Sequence, residues 1–421
     1  MAEKIKKLIK EGKIKMLHKS AIAAAIIICA VCAGCESPEQ HKKAAQEKWN
    51  KTSAQIKLIL AQQQVDEGNY DQAAKTVQQC LSVDPNNSAA HLLYGKLLLA
   101  DGQHNQAMAQ LNLALKSNEN LHEAWYWLGV AAQENKEYKK AYGHYRMALA
   151  LEPTNVDYIL AVADVQVAQD NCSEAAILLD EKMAALPRNV SLKVAAADVM
   201  CRLGKNEQAI ELYKQAMLMT SDNSEIAEAL GYCHVFSGKW KEAAEIFNKL
   251  TAQCTDEQKK KLYLQVTALC SMNSAQYARA VNCYSKLSVE QRNDAEIWVK
   301  MGQAALGAGA TSKVFMYGQK ALALSPGYAD AIALVGCAKY AAGDYNAAVK
   351  RFKEITTDSR NESLSWFMRA RCYEQLGQMN KARHAYKNAW EINPHSELNA
   401  YLINHGSYLE QDTDNKIRNP E

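Results

Sequence analysis

Cysteine and histidine are the residues of this chain best suited to hold a metal or attack a substrate, so their spacing decides what chemistry is available. Cys29, Cys32 and Cys35 make a C-x2-C-x2-C run, a spacing that iron–sulfur ligand sets use. The run straddles the end of the apolar stretch Ala21–Val31 and has no fourth ligand nearby, which argues against a cluster. Nine cysteines follow, at 80, 172, 201, 233, 254, 270, 283, 337 and 372, and an odd number does not fit a fully paired disulfide framework. The ten histidines show no H-E-x-x-H and no paired His–carboxylate spacing. Gly307–Lys313, GAGATSK, lacks the G-x4-GK[ST] spacing of a phosphate loop and has no strand before it. No catalytic residue, metal ligand or cofactor is expected from these patterns.

The elements that position these residues are helices. Leu121–Asn155 reads as two amphipathic helices joined by a polar turn. Trp125, Leu128, Gly129 and Ala132 recur on one face of the first, and Tyr138, Ala141, Tyr145 and Ala148 on one face of the second. Pro153 ends the second helix, because it has no N–H to donate. Steps of 34 residues from Gly129, with three extra residues near 258–260, land on Ala61, Gly95, Ala163, Ala197, Gly231, Ala268, Gly302, Gly336 and Ala370. The Ala141 column holds alanine everywhere except Val314. Gly68, Gly102, Gly204, Gly238, Gly309, Gly343 and Gly377 share one turn column. Cys233, Cys270 and Cys372 fall in the Ala131 column and Cys80 in that of Ala148. Those are small, buried helix positions, where a free thiol behaves as a small hydrophobe. Gly318 stands where Tyr145 does, which predicts an under-packed second helix in that repeat.

The pattern W-x2-LG-x2-A…Y-x2-A-x3-Y-x2-A-x4-P resembles the tetratricopeptide repeat. The resemblance implies an all-α, right-handed α-solenoid of about ten tandem helix-turn-helix repeats, over 54–257 (repeats one to six) and 261–396 (seven to ten). The extra residues at 258–260 suggest two lobes. Residues 397–406 read as a capping helix and 407–421 as a disordered tail.

Residues 1–34 read as an export signal: basic residues, a short apolar core, then small residues. The ending Cys32-Ala33-Gly34-Cys35 looks like a bacterial lipobox, with Cys32 where Leu or Val is usual. This implies lipidation at Cys35 and a polar tether over 35–53, with a turn of helix near Ala44–Lys51. A start at Met16 would leave a signal of ordinary length. Glu36, not Asp, after the cysteine favours the outer membrane, with the chain facing the periplasm of a bacterial envelope. The chain is +3 overall, from 49 basic and 46 acidic residues, but 42 against 44 once the signal is removed. The basic balance therefore gives no support for nucleic-acid binding.

The repeats leave too little chain for a separate catalytic core, so an enzyme is not expected and function falls to the solenoid surface. In this family the first helices line the groove. The matching positions are Glu123, Tyr126 and Val130; Asp157, Leu160 and Asp164; Ser191, Val194 and Asp198; and Glu225, Glu228 and Tyr232. They hold six acids and no base, interleaved with apolar residues. This suits a protein or peptide partner with basic residues and gives no support for a lysine clamp on acidic tails. The expected role is an envelope scaffold or assembly factor, as for pili, secretins or outer-membrane proteins. The alternative is a polysaccharide-export or synthase-associated lipoprotein. The oligomeric state is left open.

Overall fold

The computed structural model describes residues 38–221, 223–290, 292–355 and 359–393. The export signal, Cys35, the capping helix at 397–406 and the tail at 407–421 lie outside them. Two compact units divide between Thr220 and Ser221. In the first are α1 Pro38–Asp66, α2 Tyr70–Val83, α3 Ser88–Ala100, α4 His104–Ser117, α5 His122–Glu134, α6 Tyr138–Leu151, α7 Val156–Ala168, α8 Cys172–Ala185, α9 Val190–Arg202 and α10 Asn206–Met217. The second holds α11 Ser224–Phe236, α12 Trp240–Gln253, α13 Glu257–Asn273, α14 Tyr277–Glu290, α15 Ala295–Gly307, α16 Thr311–Leu324, α17 Ala329–Ala341, α18 Tyr345–Phe352, α19 Ser359–Gln375 and α20 Met379–Ile392. Every described element is a helix, and within each unit the helices stack as tandem pairs.

The small-residue columns set the pairing. A Cβ on Gly129 would collide with the ring of Tyr145, one on Gly231 would come within 2.8 Å of Phe247, and one on Gly336 within 2.7 Å of Phe352. Each glycine is therefore the floor under one large side chain of its partner helix. Leu111, Leu128, Phe247 and Phe352 are fully buried between paired helices, at about 1.5–3 kcal/mol of transfer free energy each.

The turn column works through backbone conformation. All ten turns within repeats carry one residue at positive φ: the seven predicted glycines, and Lys136 (φ 60), Asp170 (φ 65) and Ala275 (φ 57) in the same column. In each, the following N–H reaches back five residues to a carbonyl, as Asn69 does to Gln64 at 2.7 Å and Gln276 to Ser271 at 2.8 Å. This satisfies carbonyls that the helix end leaves open. First helices are capped in turn by Asn87, Asn155, Asn189, Asp256 and Asp294, whose side chains accept from backbone N–H groups one turn on.

Four expectations change. The segment read as a tether is helical from Pro38 and runs into the first repeat without a break, because no glycine or second proline interrupts it. The extra residues near 258–260 do not mark the division between the units; they lengthen the start of α13. Gly318 leaves no gap. A Cβ there would come within 2.7 Å of Val335, and one on Gly302, its partner across the repeat, within 2.5 Å of Leu334. With glycine on both sides, the next repeat moves α17 side chains into the space. Trp125 is half-buried at the edge, where its Nε1–H donates to the Glu119 carbonyl at 3.1 Å, and Trp127 takes the core position instead.

Candidate binding faces

In the first unit, α5, α7 and α9 present the predicted face, and the structure sorts its residues into three groups. Val130 is buried, 7 % exposed, and belongs to the core, so it is not a groove residue. Val130 turns inward because α5 is apolar on nearly all sides, whereas Asp164 and Asp198 in the same column are exposed. Leu160 is half-buried and packs on the core cluster of α7, α8 and α9. Val194 is half-buried, and Asp157, Asp164, Ser191 and Asp198 are exposed.

The acids are not equivalent. Glu123 pairs with Lys96 of α3 at 2.9 Å, and Lys96 is 6 % exposed. Lys96 stands 34 residues before Val130, in the same column, so a base does reach this face one repeat earlier than the acidic series. Burial pushes its ammonium below the ordinary range, while the Glu123 carboxylate opposes that shift. The Lys96 ammonium also sits 5.6 Å from the Trp127 ring. Asp198 is exposed as a residue but accepts from the Tyr213 hydroxyl, and partial loss of water around its carboxyl raises its pKa against that hydrogen bond and Arg202. Asp198 is therefore partly a structural residue.

Tyr126 is the centre of an aromatic group. Its ring stacks on Tyr158 of α7 at 5.1 Å and lies 5.5 Å from Tyr145 and 5.4 Å from Trp127. His122 Nδ1 and the Tyr158 hydroxyl are 2.7 Å apart. Burial, then Asp157 and Asp164, push the Tyr126 phenol up to about 12, so it stays a neutral hydroxyl beside two acids. The result is an aromatic cluster in which Trp127, Tyr145 and Tyr158 are buried and the half-buried Tyr126 alone reaches the surface, with the exposed Asp157 and Asp164 near it. Lys96, Trp127 and Tyr158 were not among the sequence-predicted positions. One step back from Val130 finds Lys96. Tyr158 lies next to Asp157, one position off the groove column.

In the second unit α11 carries Glu225, exposed, and Glu228, which accepts from the Tyr263 hydroxyl at 2.6 Å and lies 3.9 Å from Lys259. Tyr232 is half-buried, edge-on to Phe247 at 5.0 Å. The next repeat adds Leu262 and Leu269 of α13, both exposed and in the columns of Glu225 and Tyr232. The face is thus acidic on α11 and apolar on α13.

None of the nine cysteines after Cys35 is in a disulfide, and Cys80, Cys233, Cys270 and Cys372 are buried as their columns predict. Among the described residues no group of three or more His, Cys, Asp or Glu side chains could hold a metal ion. No described helix is long and apolar enough to cross a membrane.

The tetratricopeptide-repeat family model matches 64–128, 201–263 and 339–402, and a second model of the same repeat matches 122–155. Together they cover more than half of the chain. The chain belongs to the tetratricopeptide repeat family. As a member it is a scaffold for protein–protein interaction. It is similar to Hsp70-Hsp90 organizing protein 1 of Glycine max, 24 % identical over 267 residues that cover 60 % of this chain and 44 % of that one. It is similar also to cilia- and flagella-associated protein 70 of Homo sapiens, 27 % identical over 182 residues, 42 % of this chain and 16 % of that one. The chain thus spans less than half the length of these curated relatives. Similar solved structures include PilF of Pseudomonas aeruginosa, 16 % identical at a TM-score of 0.43, covering 51 % of this chain and 97 % of that one. MamA of Desulfovibrio magneticus is 20 % identical at a TM-score of 0.36, covering 39 % of this chain and 93 % of that one.

Proposed function

We propose that this tetratricopeptide-repeat protein is a lipid-anchored scaffold of a bacterial envelope that holds a peptide segment with basic residues. The anchor is Cys35, and Glu36 after it favours the outer membrane with the chain facing the periplasm. Pilus, secretin or outer-membrane assembly is the setting this suits; polysaccharide export is the second, and the genes encoded beside it distinguish the two. The observation that carries the binding reading is the half-buried Tyr126, held by the buried Tyr158 ring, with the exposed Asp157 and Asp164 near it. Lys96 is committed to Glu123 and buried, so it leaves this patch acidic. Aromatic and apolar anchors beside fixed negative charge select a peptide that alternates apolar and basic side chains.

The test is a titration of two synthetic peptides of equal apolar content, one lysine-bearing and one glutamate-bearing, against the full chain at low and high salt. The lysine peptide binds, weakens with salt, and is lost in Asp157→Lys with Asp164→Lys. Equal binding of the glutamate peptide would remove the charge argument.

A further inference from the structure

α1 carries two apolar faces. Ala54, Ala61 and Val65 are buried and Leu58 packs against them, which accounts for one face. On the opposite side Trp49, Ile56, Ile59 and Leu60 are 68, 63, 51 and 46 % exposed. Their spacing of i, i+7, i+10 and i+11 places them in one stripe along the helix. The terminal helix of a repeat stack ordinarily turns a polar face outward, since no neighbour covers it. Here it turns four large apolar side chains outward, and every residue from 41 to 49 is exposed as well.

The charges around the stripe indicate what covers it. At 100° per residue, Lys48 lies at one margin, Lys42 extends the stripe toward the N-terminus, and the half-buried Lys57 lies between the stripe and the buried face, its Nζ 3.5 Å from Gln79 of α2. Over residues 38–60 five lysines (42, 43, 48, 51 and 57) stand against two acids, Glu39 and Glu47. Two copies pairing through this stripe would bring lysines onto lysines. An anionic lipid surface meets both the apolar stripe and its basic margins. Cys35 precedes Pro38 by three residues, about 10 Å of extended chain, so an acyl chain there would bring the start of α1 to the headgroups.

We propose that α1 lies along an anionic bilayer surface. Trp49, Ile56, Ile59 and Leu60 enter the headgroup boundary and the flanking lysines meet lipid phosphates. The proposal rests on the lipid-anchor reading and adds a second membrane contact to it. The first repeat then starts at the membrane rather than at the end of a flexible tether.

Tryptophan quenching by brominated acyl chains tests it, using the full chain reconstituted into phosphatidylcholine vesicles with and without phosphatidylglycerol. In anionic vesicles the wild-type chain should lose emission that Trp49→Phe does not lose. The difference should shrink at high salt and in Lys42→Glu with Lys48→Glu. The side chains of Lys42, Lys48 and Trp49 are exposed, so circular dichroism should be unchanged. Equal quenching of wild type and Trp49→Phe overturns the proposal. So does a Trp49 shielded from lipid in a dimer that Ile56→Ser dissociates. Fatty-acid labelling reads the anchor separately. Label at Cys35 with no Trp49-dependent quenching sinks the helix proposal alone. Quenching without label sinks the anchor and leaves the helix on the membrane.

Discussion

Lys96 of α3 reaches across to Glu123 of α5 at 2.9 Å, and this pair gives the acidic first-helix face a buried counter-charge. Lys96 lost its hydration to make the pair, and Glu123 keeps some contact with water. Lys96→Met should therefore destabilise the first unit by about 1–3 kcal/mol, the cost of leaving a largely buried polar partner unpaired. Lys96→Met with Glu123→Gln should recover most of that loss. The single variant should also bind a lysine-bearing peptide a few-fold more tightly, because Glu123 is released. Urea melts and peptide titration on the same samples check both halves.

The Gly302–Leu334 approach predicts an exchange of partners in the second unit. In other repeats the first-helix glycine lies under its own second helix, but here Leu334 comes from the next repeat. Gly302→Ala should cost about 1–3 kcal/mol by over-packing. A double-mutant cycle should couple it to Leu334→Val and not to Gly318→Ala. Gly129→Leu, in the ordinary arrangement, should over-pack against Tyr145 by a similar amount and lower the melting temperature.

Ala275 sits in the left-handed turn column with φ 57. A Cβ there costs roughly 1–2 kcal/mol, and glycine gives part of that back through the unfolded chain. Ala275→Gly should stabilise the second unit by about 0.5–1 kcal/mol net. An unchanged or lower melting temperature would mean that the turn is not under strain.

These examples mark what the sequence could and could not reveal. Identity columns expose any feature that repeats: the small-residue contacts, the seven turn glycines and the buried cysteines at 80, 233, 270 and 372. They hide features that occur once. Lys136, Asp170 and Ala275 occupy glycine positions with the wrong residue, so only the backbone reveals them. Val130 looked like a groove residue because its column is polar in neighbouring repeats, as Asp164 and Asp198 are. Lys96 stands one repeat before the acidic series begins, so the columns from Glu123 onward do not contain it. The cross-repeat filling of Gly302 and Gly318 depends on α17 approaching α15 and α16, which no one-dimensional comparison contains.

The buried thiols give a pH dependence with a definite sign. Burial pushes Cys270 up to about 11, and burial with Cys337 nearby pushes Cys372 up to about 12, from an ordinary 9.0. A raised thiol pKa means that the fold favours the protonated form. That stability is complete below about pH 9 and is lost as pH rises toward these folded values. Thermal stability should fall between pH 9 and the folded pKa range of 11 to 12, and fall less in Cys270→Ala with Cys372→Ala. At pH 8 iodoacetamide should modify the half-buried Cys172 well before Cys270 or Cys372.

Asp198 is a poor site for charge reversal, because its carboxylate holds the Tyr213 hydroxyl. Asp157 and Asp164, the two acids near Tyr126, are the pair to reverse. The most direct measurement of the binding reading is therefore photo-crosslinking of a lysine-bearing amphipathic peptide to the full chain, followed by mapping of the adducts. The account predicts adducts on the first helices, at Tyr126 and its neighbours on α5 and α7 or on α11 and α13, and their loss in Asp157→Lys with Asp164→Lys if they lie on α5 and α7. Adducts confined to the second helices, or equal labelling by a glutamate-bearing peptide, would contradict it.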